Sequence, residues 1–385
     1  MLPKQNRFER RWRKIKRKLR PIKTVLFLLG VIICSLLLLE FCSFLLLAGW
    51  VYFHDGAHDP RVALESYQDQ PWAKEYFREF SAASVMEYFP YTGHRRKPGY
   101  VGKYVNLDEE SRRKTVGNCV DSQGNSLKIF VFGGSTVWGS GARDEGTIPS
   151  RLAQALCAAG FPVQVENYGE SGYVSTQEVL RLQQELQRGN IPHIVIFYDG
   201  FNDAFATYQT RSAGAPQNLE HRFQEFNARK RFHLWGLFPN TLELGERLQY
   251  RFLKSGSLPP IDQPLAQAAA QVHAENRKMV QGMAIVYGFQ PFFYWQPVLY
   301  TKKNLSAEER RLPEGESLAE SYHSLTQFAL QDPYVKDLTT LFDNQTQTVY
   351  VDWSHISEEG NGQVALALAQ DLQVYVRSYG LTRKP

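Results

Sequence analysis

The sequence predicts an α/β sandwich on a parallel sheet, set behind one helix long enough to cross a membrane. Two observations carry this. From Leu127 onward, continuous apolar segments of strand length alternate with segments of helical periodicity, the pattern of strands covered on both faces. Ahead of them, "TVLFLLGVIICSLLLLEFCSFLLLAGWVYF" (residues 24–53) exceeds the roughly 20 apolar residues that a spanning helix needs.

Residues 1–23 carry eleven Lys/Arg and one Glu, while the whole 385-residue chain is only +5, so the remainder is net acidic. A basic flank beside an apolar run keeps to the cytoplasm, which turns residues 54–385 outward. The same division gives no reason to expect nucleic-acid binding by the folded part. Trp50 and Tyr52 stand where interfacial aromatics belong. The apolar run is longer than a signal-peptide core and no small-x-small cleavage site follows, so an uncleaved anchor is favoured over a signal peptide. Glu40 interrupts the run; it is either a protonated or hydrated carboxyl or a contact to another helix.

Residues 54–126 read as a lead-in, with helical spacing in "PWAKEYFREFSAASVMEYF" (71–89) and a short strand pair in residues 99–115. The sandwich, residues 127–385, begins with the strand "LKIFVFGG". A helix over 147–160 follows, then a strand at 162–169 and a helix over 175–189 opened by a Ser175–Glu178 capping box. Three more strands are expected at 192–200, 289–298 and 348–353 before a last helix over 357–380. An insertion, about 204–257, holds "RSAGAPQ" and "FHLWGLFPN" and is read as a lid, a substrate wall or a solvated excursion. Cys119 and Cys157 both lie outside the membrane run, where a disulfide is permitted. No Cys/His spacing suggests zinc and no HExxH is present, so neither metal nor cofactor is expected.

The first strand breaks into "GGSTVWGSG" around Ser135. A phosphate loop requires Lys where Ser140 stands, and GxGxxG is absent. A nucleophile at the carboxyl end of a strand requires a base, a carboxylate to orient it and oxyanion donors, each after another strand. "DWSH" offers Asp352 and His355, "NYGESGY" offers Gly172, and "DGFND" offers Asn202. Gln296 and Tyr300, at the end of the fourth strand, are candidate substrate contacts or core residues. Asp108–Glu110 raises a glycosidase-type carboxylate pair but has no placeable partner, and His193 precedes its strand at the wrong end of the sheet.

The blocks "FGGSTVWG", "NYGESGY", "GFND" and "DWSHIS" resemble those of the SGNH (GDSL-type) hydrolases over residues 127–379. Gly-Gly-Ser-Thr stands where Gly-Asp-Ser-Leu is usual, which weakens any inference of lipase-like activity without removing a catalytic group. The resemblance implies a flavodoxin-like three-layer sandwich with five parallel strands. It implies Ser135 as nucleophile, His355 as base and then acid, Asp352 as orienter, and an oxyanion hole of the Ser135 and Gly172 N–H groups with the Asn202 amide. The expected activity is hydrolysis of O-acyl esters, O-acetyl groups on a cell-envelope or exported glycan first among them. The alternatives are an acyltransferase using the same residues, a lipid or lysophospholipid esterase, and a non-catalytic envelope-binding scaffold.

Overall fold

The computed structural model describes residues 7–53, 59–223, 238–253, 258–312 and 315–378. They fall into two units, an N-terminal helical unit and an α/β body.

In the helical unit, α1 runs unbroken over Arg7–Phe53, through Pro21. Its apolar stretch is exposed over most of its length and is long and apolar enough to cross a membrane. The second helix of this unit comes from the insertion and is numbered α7 (Pro239–Leu253). It packs on α1. Glu40 is therefore a helix–helix contact. Its carboxylate accepts hydrogen bonds from the backbone and side chain of Asn240 (2.8 and 2.7 Å) and of Thr241 (2.9 and 2.7 Å). The rest of "FHLWGLFPN" before Phe238, the basic tail before Arg7 and the side chain of Tyr52 lie outside the described residues.

In the body, alternation along β3 (Leu127–Gly133) sends Ile129 and Val131 to one face and Phe130 and Phe132 to the other, all fully buried. It pairs in parallel with β4 (Val163–Asn167) and β5 (Ile194–Asp199); β6 (Gln290–Trp295) and β7 (Val335–Asp337) extend the sheet in the order β4-β3-β5-β6-β7. This is the five-stranded, all-parallel sheet that the sequence implied. On one face Leu152 and Leu156 of α4 (Ile148–Ala158) and Leu368 and Leu372 of α10 (Glu358–Ser378) close the core. The other face is covered from α5 (Ser175–Gln187), α8 (Gln263–Tyr287) and α9 (Glu316–Ala329). There, the rings of Tyr168, Phe132, Phe197 and Phe293 stack one on the next across the strands at 4.9, 5.1 and 5.5 Å. Cys119 and Cys157 are disulfide-bonded, tying the segment before β3 to α4.

Three elements differ from the sequence reading. The fifth strand is Val335–Asp337, not residues 348–353. The N–H groups of Val349 and Tyr350 are taken by the Glu309 carboxylate, itself paired with the fully buried Lys302, so this apolar stretch packs in the core without a ladder. The capping box at Ser175 does not form: Val174 is the N-cap residue, its N–H goes to Gln177, and Ser175 donates its hydroxyl to Asp203 (2.7 Å). The lead-in helix, α2, is only Ala73–Ala83, and a hairpin of β1 (Met86–Phe89) and β2 (Gly93–Arg96) follows. Residues 99–115 carry isolated bridges, Val101 to Asn106 and Leu107 to Arg113. These lead-in residues pack on the body through a third cluster of Tyr67, Tyr76, Phe77, Val105, Leu107, Trp138 and Val351.

Candidate active site

Ser135 is the first residue of α3 (Ser135–Trp138), directly beyond β3. Its N–H is one of those a helix leaves without an internal acceptor. His355 lies in the loop between β7 and α10. Its Nε2 is 2.6 Å from Ser135 Oγ, and its Nδ1 is 2.6 Å from Asp352 Oδ2. The loop is held tight because Asp352 Oδ1 accepts from the N–H groups of Ser354 (3.0 Å) and His355 (2.9 Å), and Val351 N–H donates to His355 O (3.0 Å). Burial opposes ionisation of Asp352, but the His355 imidazole and these donors outweigh it and hold the carboxyl well below its ordinary range. An ionised Asp352 requires Nδ1 to carry the proton, which leaves Nε2 to accept from the Ser135 hydroxyl.

Two further strand ends bring up donors. Gly172, beyond β4, has φ +73°, a conformation that side-chain-bearing residues rarely adopt. Asn202, in α6 (Phe201–Thr210) beyond β5, sits against Gly134, where an added Cβ would overlap its amide nitrogen. Its Nδ2 donates to Tyr173 O (2.8 Å) and its Oδ1 accepts from Gln217 Nε2 (3.1 Å), which fixes the amide's direction. Ser135, His355, Asp352, Gly172 and Asn202 line one cavity of about 660 Å³, together with Gln217 and the apolar side chains of Leu64, Phe80, Phe201, Phe205, Leu312 and Trp353.

Gln296 and Tyr300 do not line this cavity. Gln296, one residue beyond the end of β6, is buried, and its backbone carbonyl accepts from Tyr322 Oη (2.6 Å). Tyr300 packs against the core on the α8–α9 face. His193 accepts from Lys128 N–H (2.9 Å) at the amino end of the sheet. Asp108 caps its own turn, accepting from the N–H groups of Glu110 and Arg112.

Arg96 was not singled out in the sequence, yet it braces the Gly172 loop from β2. Its guanidinium donates to Glu170 (2.6 Å) and Ser171 Oγ (2.8 Å), its N–H donates to Glu170 (2.9 Å), and its plane lies 3.6 Å from the centre of the Trp138 ring. His94 and Tyr173 add bonds between the hairpin and this loop. On the other side, Arg143 donates to Glu358 three times, joining the segment after Ser135 to α10 just beyond His355. Below Asn202, Glu178, Asp199, Asp203 and His273 form a buried cluster. Burial, reinforced by Asp199, pushes Asp203 up to about 6 and Glu178 well above the carboxylate range; His273 is raised because Asp199 outweighs its desolvation.

Ser135, Gly172, Asn202 and the Asp352–His355 pair thus follow β3, β4, β5 and β7 in chain order and line one cleft. This is the order and placement that the resemblance of the four sequence blocks to the SGNH hydrolases implies. No family model and no curated protein matches the chain. Among solved structures it is similar to an acetyl xylan esterase (14% identity, 64% of this chain and 99% of that chain, TM-score 0.38) and to a lipase from a goat rumen metagenome (13%, 63% and 97%, 0.38). It is also similar to a family 3 carbohydrate esterase from Clostridium thermocellum (15%, 67% and 100%, 0.34).

Two predictions follow from the supports of the site. Arg96→Ala leaves Glu170 buried and unpaired, so chemical denaturation should show a loss of about 3–5 kcal/mol; an unchanged midpoint would refute the bracing role. Asp203 binds its proton more tightly folded than unfolded, so the stability it contributes is full at low pH and is lost as pH rises from about 4 to about 6. His273, also raised, acts in the same sense: its contribution is present below its unfolded value and lost as pH rises through the folded one. Asp203→Asn keeps an acceptor for Ser175 and cannot titrate. The difference in Tm between variant and parent should therefore move in the variant's favour between pH 4 and pH 7, and a constant difference would contradict the assignment.

Proposed function

We propose that the chain is a membrane-anchored serine esterase that hydrolyses O-acyl esters outside the cytoplasmic membrane. The observation that carries it is the unbroken relay from Ser135 Oγ through His355 to Asp352, both contacts at 2.6 Å, at the floor of an open cleft. Ser135 Oγ attacks the acyl carbon while His355 Nε2 takes the hydroxyl proton. The carbonyl oxygen becomes an oxyanion held by the N–H groups of Ser135 and Gly172 and by the second hydrogen of Asn202 Nδ2. The intermediate collapses to an acyl-serine as His355 returns the proton to the departing alcohol. Water then repeats the sequence, its proton passing through His355 back to Ser135 Oγ as the carboxylic acid leaves.

The anchor reading is supported by α1, and the outward body by the basic flank of α1 and by the Cys119–Cys157 disulfide, a bond that belongs to oxidising compartments. An O-acetylated envelope or exported glycan is the substrate that this placement favours, with transfer of the acyl group to a glycan hydroxyl instead of water as the variant of the same chemistry. The apolar walls favour a second reading, a lipid or lysophospholipid ester whose chain lies along Phe80, Phe201, Phe205 and Trp353.

The full chain in detergent, assayed on p-nitrophenyl esters of increasing chain length and on acetylated oligosaccharides, separates these readings. Ser135→Ala should abolish turnover above background. Asn202→Ala should lower kcat by about 10²–10³, the effect of losing one oxyanion donor. Ser135→Ala retaining parental activity would sink the esterase proposal. A maximum at acetyl supports the glycan reading, and a rise toward long chains supports the lipid reading.

A further inference from the structure

Glu40 is the one acidic residue between Thr24 and Phe53. Ten residues separate it from Trp50, about 15 Å of helix. With Trp50 at the interface, this depth is about half the roughly 30 Å hydrocarbon thickness. A lone carboxylate there is expensive, and so are the first N–H groups of any helix that enters the same region. The structure solves both problems together. Pro239 opens α7 without an N–H to lose, and the next two residues, Asn240 and Thr241, turn two backbone and two side-chain donors onto the Glu40 carboxylate. The positive end of the α7 dipole faces that carboxylate. One turn along α1, Ser43 is buried with its Oγ 3.2 Å from Thr241 Oγ1, and Leu47 is buried one turn further on. Glu40, Ser43 and Leu47 thus form one covered stripe on a helix whose other faces are exposed and apolar. The charged residues of α7, Glu243, Glu246, Arg247 and Arg251, all fall beyond its first turn.

We propose that the insertion between α6 and α8 returns to the membrane and docks, through the first turn of α7, on the Glu40–Ser43 stripe of the anchor, so that the membrane part is a pair of helices from one chain. The proposal rests on the anchor reading of α1. It gives the insertion a role other than a free lid. The insertion stays with the body past Gln217, which holds Asn202, leaves it after residue 225, and is fastened to the anchor before the chain returns through α8.

The test is disulfide trapping in the full chain in native membranes. Cys34 and Cys42 are replaced by Ser, Ser43→Cys is combined with Thr241→Cys, and a protease site is introduced between residues 226 and 237. Cys119 and Cys157 both lie in the amino-terminal fragment, so the native disulfide does not join the two halves. After mild oxidation and cleavage the halves should stay joined until reduced, and the uncleaved protein should run as a monomer. The pair Leu38→Cys with Thr241→Cys, on an exposed face of α1, should not join them. Adding Glu40→Leu should lower the trapped fraction at least about fivefold, the low end of what unpaired donors cost. Loss of the protein from membranes on alkaline washing would overturn the anchor reading and the docking with it. Membrane-bound protein that fails to trap, or that traps only as a dimer, would overturn the docking and leave the anchor standing. A trapped fraction unchanged by Glu40→Leu would overturn the role given to the carboxylate.

Discussion

Gly134 has no side chain, and the Asn202 amide occupies the space a Cβ would fill. That close approach is possible because β3 and β5 are hydrogen-bonded neighbours, so the residues just beyond their carboxyl ends emerge side by side. Ser135, one residue after Gly134 and the proposed nucleophile, is thereby set beside the Asn202 amide, the proposed donor to the oxyanion. Any larger residue at position 134 would push the two apart. The stacked rings of Phe132, Phe197 and Phe293, immediately inside these strand ends, hold the edge that makes the approach reproducible.

A second level of support comes from ion pairs, two of them buried. Arg96 with Glu170 fixes the Gly172 loop, Arg143 with Glu358 fixes the start of α10, and Lys302 with Glu309 fixes the stretch that leads into Asp352. Arg96–Glu170 and Lys302–Glu309 are buried, so removing one partner from either would leave a full charge unpaired. The residues that perform the proposed chemistry thus sit on loops, while their positions are set from the hairpin, α10 and the segment before Asp352.

Most of the sheet was legible in the sequence because β3, β5 and β6 are largely apolar runs and β4 alternates apolar and polar residues, each followed by a helical segment. β7 was not, since three residues at the sheet's edge, only Val335 buried, carry almost no pattern. Residues 348–353 read as a strand for the converse reason: they are apolar because they pack in the core, while their N–H groups go to a glutamate. Of the five candidate site residues, Ser135, Gly172 and Asn202 were legible because each follows a strand that the pattern located, while Asp352 and His355 were legible only from their own spacing, since the stretch read as a strand before them is not one. Their positioning partners, Arg96 and Gln217, were not, because nothing local distinguishes an arginine or glutamine that reaches across the fold. Gln296 misled for a related reason. A polar residue at a strand end suggests a site, yet one residue of register decides whether it faces the cleft or the core.

The central claim is that Ser135 is a nucleophile activated through His355. Treating the full chain with a fluorophosphonate ester and mapping the adduct by peptide mass tests it most directly. The account predicts a single phosphonyl group on the peptide containing Ser135, lost in Ser135→Ala and strongly slowed in His355→Ala. An unlabelled protein, or an adduct on another residue, would contradict it.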